Sequence, residues 1–180
     1  MKWIAVFALA LTPVAALAQH QQPYAGFEER PVKALSAEQI ADLRAGRGMG
    51  LALVAELNGY PGPIHVLEHA QALALTDAQR ARTQALYDAM KAEAVALGEA
   101  LIAEETALDR AFASRAITTE TLAHATAAIG RTQAALRAAH LRYHLAQVEV
   151  LTPEQVRRYA ELRGYAGGGH GGGHHPRRHH

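Results

Sequence analysis

No cysteine occurs anywhere in the chain. Disulfide frameworks, thiol redox chemistry and thiolate metal sites are thereby excluded, and any metal must be held by histidine and carboxylates. An excess of one charge is also missing, with 18 basic against 17 acidic residues. Nucleic acid is therefore not expected as a partner, because phosphate binding needs a basic surplus. No stretch alternates apolar and polar residues long enough to suggest a sheet. Catalytic signatures are absent too: no cysteine nucleophile, no GxSxG and no HExxH. Glu104, Glu105 and Asp109 read as a solvated helix surface. An enzyme, a small-molecule substrate and an organic cofactor are not expected. The run Gly46-Arg47-Gly48-Met49-Gly50 has no strand before it and no Gly-Lys-Ser/Thr after it, so a kink or close helix crossing is its expected use.

What is present begins with an export signal. Lys2 gives a short positive start, and Trp3 to Leu11 form an uncharged apolar run. Thr12-Pro13 breaks that run, and Ala16-Leu17-Ala18 before Gln19 makes a small-x-small cleavage site. Residues 1–18 are thus expected to be a cleaved signal peptide, shorter than the roughly 20 residues of a spanning helix. The expected location is periplasmic. No cysteine follows the cleavage point to carry a lipid. Loss of Lys2 leaves the mature chain with equal numbers of basic and acidic residues.

Residues 19–34 are polar, with Gln, Pro and Gly, and are expected to form a flexible arm. Residues 35–164 are rich in Ala, Leu, Glu, Arg and Gln, all good helix formers, and are expected to form an all-α domain. From residue 165 to 180 the chain becomes Gly/His-rich, a composition that cannot pack a core, and a disordered tail is expected.

One local pattern recurs: Leu35-Ser36-Ala37-Glu38-Gln39, Leu75-Thr76-Asp77-Ala78-Gln79 and Leu151-Thr152-Pro153-Glu154-Gln155. The hydroxyl caps a free backbone N–H of the first turn, and the Gln three residues on reaches back to the cap residue's own N–H. Pro153 falls at the first helical position, where a missing N–H costs nothing. Helices therefore start near 37, 77 and 153. Leu35 with Ile40, and Leu151 with Val156, have the spacing of a hydrophobic staple, whereas Leu75 meets Arg80.

Asp77 to about Ala113 contains no proline and only Gly98, with Leu86, Met90, Leu97, Leu101, Leu108 and Phe112 on one stripe. A break is expected at Ser114 to Thr119, with Thr118 or Thr119 as cap. Leu122, Ile129, Leu136, Tyr143 and Val150 then recur every seven residues. A short connection makes the two helices an antiparallel hairpin, and its narrow seam needs flanking helices (about 37–57, 63–73 and 153–163), a second chain, or both.

Histidines are placed unevenly along this plan. His65 and His69 stand four apart before the second motif, and His140 and His144 four apart before the third. Spacing of four puts both imidazoles on one helix face, and the hairpin brings both pairs to one end of the molecule. Four imidazoles, or three with Glu68 or Asp88, could surround a zinc, nickel, cobalt or copper ion. His170, His174, His175, His179 and His180 are spaced by glycine and suit loose capture of divalent ions. His124 and His20 have no such partners.

A cleavable signal, a helical hairpin and Leu-Thr-x-x-Gln motifs at two helix starts resemble the Spy/CpxP-like periplasmic family (LTxxQ motif). Residues 63–163 carry the resemblance, and residues 35–62 look like an extension found in its heavy-metal-resistance, CnrX- and ZraP-like branch. The resemblance implies a homodimer with a curved, partly apolar face. In the chaperones of the family that face holds unfolded proteins without ATP; in the sensors, histidines near the motif ends bind a divalent metal and report to a membrane-bound regulator. On that likeness His65 and His69 match the sensor's first histidine pair, and His140 or His144 its late histidine. Its carboxylate falls near Tyr87 or Asp88, and its sulfur ligand has no methionine counterpart. The expected function is divalent-metal binding as sensor or buffer in the envelope stress response, with ATP-independent chaperoning as the alternative.

Overall fold

Each of the three Leu-Ser/Thr motifs opens a helix, and its Gln closes the box that was expected. A computed structural model describes residues 23–165. The signal sequence expected at 1–18 and the tail beyond Tyr165, with its five histidines, lie outside the described residues. After a short 3-10 turn at Phe27–Glu29 come α1 (Ala37–Ala45), α2 (Leu53–Glu56), α3 (Pro63–Glu68), α4 (Asp77–Ala113), α5 (Thr119–Val148) and α6 (Pro153–Leu162). Ser36, Thr76 and Thr152 each accept a hydrogen bond from the backbone N–H of the Gln three residues on, at 3.1–3.2 Å. Each Gln Oε1 in turn accepts from the cap residue's N–H. A fourth box, unforeseen because Thr121 stands where Gln or Glu is usual, joins Thr118 and Thr121 at the start of α5.

At 1.5 Å per residue α4 is about 55 Å long and α5 about 45 Å. They run antiparallel as a hairpin: Thr132 Oγ1 donates to Glu104 at 3.0 Å, Arg142 pairs with Glu93, and Gln147 Nε2 donates to Thr83 at 3.1 Å. Apolar side chains gather in two clusters along it. The first joins Leu43 of α1 to Ala94, Leu101 and Ile102 of α4 and Ile129 and Leu136 of α5. The second joins Val66, Ala70, Leu73 and Leu75 to Leu151 and Tyr159 near the open end. Burial of each large side chain contributes roughly 1.5–3 kcal/mol. Between the clusters lies a buried layer of polar groups: Glu56, Thr83, His140, His144 and Gln147. At the closed tip the seam gives out, and Phe112 and Leu122 are exposed.

Three local details differ from the sequence reading. A flanking helix expected over 37–57 is two helices, because Gly46 (φ 64°), Met49 (φ 43°) and Gly50 (φ 78°) take left-handed backbone between them. The close crossing expected of these glycines is made at Gly46, where an added Cβ would stand 3.1 Å from the Lys91 carbonyl oxygen, and it continues at Gly98, where one would stand 2.5 Å from the Leu43 carbonyl oxygen and push α1 off α4. The helix expected over 63–73 stops at Glu68, with Ala74 at φ 49° turning the chain into α4. In the stretch expected as a flexible arm, Val32 is buried and Lys33 pairs with Asp109 at 3.2 Å.

The two Leu-Thr-x-x-Gln motifs clasp each other across the open end. Gln79 Nε2 donates to Gln155 Oε1 at 2.8 Å and to the Val150 carbonyl at 2.9 Å. Gln155 Nε2 donates to Gln79 Oε1 at 3.1 Å and to the Leu73 carbonyl at 3.1 Å. With the cap bonds counted, both amides use their two donors and both oxygens accept at least twice. Satisfied, part-buried amides of this kind contribute about 1 kcal/mol per bond, and removal of one strands the other. Thermal or urea unfolding of Gln79→Ala, Gln155→Ala and the double variant should show a coupling of about 1–2 kcal/mol between the sites. Additive losses would mean that the clasp is not cooperative.

Candidate metal centre

The polar layer opens onto a cavity of about 290 Å³ whose lining includes Glu56, Gly62, His65, Met90, His140 and His144. α5 supplies two of these imidazoles from one face, in the interval of its seam between Leu136 and Leu151. His140 is 2 % exposed and His144 7 %. Burial, reinforced by neighbouring His144, holds the His140 pKa below the ordinary imidazole value. A neutral ring in water would bond at both nitrogens. Yet His140 Nε2 is buried with no hydrogen-bond partner.

His144 is oriented by a backbone carbonyl. Its Nδ1 lies 2.7 Å from the Tyr60 oxygen, which can only accept, so Nδ1 carries the proton. In the neutral ring Nε2 is then a bare lone pair. Gly62 makes room there: a Cβ at Gly62 would stand 3.1 Å from His144 Nε2 and 3.6 Å from Glu56 Oε2. His65 is oriented the same way by a carboxylate, with Nδ1 2.8 Å from Glu68 Oε2.

Glu56 is the buried carboxylate of the cavity. Its Oε1 accepts from the Tyr159 hydroxyl, from the Tyr165 hydroxyl at 3.2 Å and from Arg163 Nε at 3.3 Å. Its Oε2 accepts from the Gly62 N–H at 3.2 Å and lies 3.8 Å from His144 Nδ1. Burial and then the bond to Glu56 push the Tyr159 hydroxyl far above the ordinary phenol range. α2, the 60–63 turn and α6 thus meet on one carboxylate.

Hairpin topology brings His65, His140 and His144 to this cavity; His69 stands elsewhere. Because α3 ends at Glu68, His69 is its C-cap (φ −101°, ψ 14°), and its ring packs edge-on against Tyr159 with centroids 6.3 Å apart. Among the described residues no three His, Asp or Glu are gathered closely enough to hold a metal ion. The carboxylates expected to help are engaged otherwise, Glu68 by His65 and Asp88 by Gln84 Nε2 at 2.9 Å. The carboxylate that lines the cavity is Glu56, a residue the sequence marks only as one charge within the apolar run Leu51 to Leu57. Sulfur is present after all, since Met49 and Met90 line the same cavity. His124 is exposed on the hairpin.

Imidazole nitrogens, a carboxylate and thioether sulfur form a donor set that fits a borderline transition ion such as zinc, nickel, cobalt or copper, and not magnesium or calcium. An orphaned buried Nε2 is what such an ion would satisfy. Arg163 now neutralises Glu56, so a cation entering the cavity would compete with that guanidinium for the carboxylate.

Fold and cavity together define an all-helical hairpin protein with a histidine-lined site at its open end. A family model described as heavy-metal resistance matches residues 49–158, more than half of the chain. The chain belongs to the heavy-metal-resistance family. No curated protein matches it, and no solved structure does. Among the described residues no helix is long and apolar enough to cross a membrane.

His140 also sets a pH dependence. Its folded-state pKa is depressed, so below about pH 6.5 the unfolded chain binds more protons than the folded one and stability rises with pH. The stabilisation is full above the unfolded value and is lost as pH falls toward the folded one. Metal-free protein should show a lower thermal midpoint at about pH 5 than at about pH 7.5. That drop should shrink in His140→Gln; an equal drop in the variant would assign the effect to other groups.

Proposed function

We propose that this chain is a periplasmic, Spy/CpxP-like protein of the heavy-metal-resistance type, which binds one divalent transition-metal ion at His140 and His144 as a sensor or buffer in the envelope stress response. The observation that carries the reading is the orphaned, buried Nε2 of His140, on a cavity that His144 also lines with its Nδ1 proton given to the Tyr60 carbonyl. An unpartnered buried polar group costs about 1–3 kcal/mol. A ligand that needs a lone pair accounts for its retention. His65, Glu56 and Met90 line the same cavity. The family match supports metal handling, and the paired Leu-Thr-x-x-Gln clasp supports the Spy/CpxP kinship. The role is non-catalytic: the chain's own residues bind and orient, and the ion is cargo or signal. A homodimer and a membrane-bound regulator are the partners this reading implies.

A second reading, binding of unfolded proteins without ATP, is favoured by one observation. Leu53, Val54, Leu57, Phe112 and Leu145 are each more than half exposed, with Leu53, Val54 and Leu57 together on α2 and its end.

Calorimetric titration of the mature chain with zinc separates the readings. One tight site should be present at neutral pH, and His140→Ala and His144→Ala should each weaken it by about 100-fold or more. Tight binding unchanged in both variants would remove the cavity as the metal site and leave the apolar surface as the functional feature.

A further inference from the structure

A trough of about 510 Å³ runs beside α1, apart from the histidine cavity, and only Met49 lines both. Leu43 of α1, Leu101 of α4 and Leu136 of α5 line it, all members of the first apolar cluster. From α5, Gly130, Gln133 and Arg137 also line it, at the spacings of three, four and seven that share one helix face. Packing does not explain Gly130. A glycine inside a helix costs stability relative to alanine. At Gly98 the Leu43 backbone accounts for that cost, because a Cβ would strike it. A Cβ at Gly130 would meet nothing within 4 Å, so the missing side chain leaves space that no described residue fills. Polar groups on the trough are few: Gln39, Gln133 and Arg137. No acidic side chain lines it. Among the described residues the arginine ion pairs are made by other arginines, and Arg137 has no carboxylate partner.

We propose that this trough binds one long-chain fatty carboxylate as a ligand, its methylenes along Leu43, Leu101 and Leu136 and its head group at Arg137. Size and lining are those of a small-molecule site, mostly apolar with a few polar groups to fix orientation. Charge decides the head group. A guanidinium without a partner beside an apolar trough complements a carboxylate, and an alcohol or neutral lipid offers it nothing equivalent. The walls decide the tail. Helices supply most of them, and helix backbone groups are already bonded to one another, so a peptide laid in the trough would bury its amides against leucine. A methylene chain has no such groups to satisfy. The site is separate from the histidines, and the proposal holds or fails independently of metal binding.

Calorimetric titration of the metal-free mature chain with decanoate, kept below micelle formation, tests this. One site should appear, tighter than that for octanoate by about fourfold for each added methylene. Arg137→Gln should weaken decanoate by about 10-fold and leave decanol unchanged. Gly130→Leu should fill the trough and abolish binding. Leucine favours a helix, so the thermal midpoint of that variant should equal or exceed the parent's. Decanoate bound by Gly130→Leu as tightly as by the parent would overturn the proposal and assign the uptake to the exposed apolar residues of α2 or the tip. Decanol bound by the parent as tightly as decanoate would overturn it too, because Arg137 would then read no charge. Displacement of decanoate by an unfolded apolar peptide, one for one, would make the trough a peptide groove and overturn the choice of ligand.

Discussion

Two side-chain amides hold the open end of the molecule together. A helical hairpin is closed at its turn by the chain itself, but its other end is free to splay unless something spans it. Gln79 and Gln155 span it, each tied to its own helix start through a cap residue and to the other through its amide. The motif is thus both a helix-start signal and a cross-link. The second apolar cluster, from α3 to Leu151 and Tyr159, packs at this same end.

Next to the clasp the molecule keeps a layer that a stability-optimised bundle would fill with leucine. α5 carries His140, His144 and Gln147 on the face where Leu136 and Leu151 continue on either side. Most of this layer is satisfied internally: Gln147 by Thr83, His144 by the Tyr60 carbonyl, Glu56 by four donors. The exceptions are His140 Nε2 and Gln147 Oε1. Buried polar networks fix register and orientation at the cost of stability. Here they also fix the tautomer of His144, whose Nδ1 proton goes to the Tyr60 carbonyl.

Much of this architecture was legible in the sequence, and the reasons are local. Capping boxes depend on residues three apart, and the heptads from Leu122 to Val150 on residues seven apart, so α4, α5 and α6 start where the pattern places them. The meeting of His65 with His140 and His144 followed from the hairpin alone. What escaped was set by contacts distant along the chain or by backbone conformation. Glu56 meets Tyr159 across 103 positions, and no periodicity announces such a pair. His69 left the expected cluster because α3 ends at Glu68, short of the expected 73, which makes His69 the cap and breaks the helical spacing of four. The glycines at 46–50 were expected to serve a kink or a close helix crossing; Gly46 does pack closely on α4, and positive φ at Gly46, Met49 and Gly50 also ends one helix before the next begins.

α4 and α5 run unbroken from the polar layer to the tip. About 30 Å of rigid helix separates His140 from the start of α5. A tilt of about 3° around the cavity therefore carries the tip through about 1.5 Å, measured along that arm. The tip displays Phe112 and Leu122 with no cover from the flanking helices. The hairpin is thus a long arm, on which any small change of angle at the polar layer is magnified at the apolar tip.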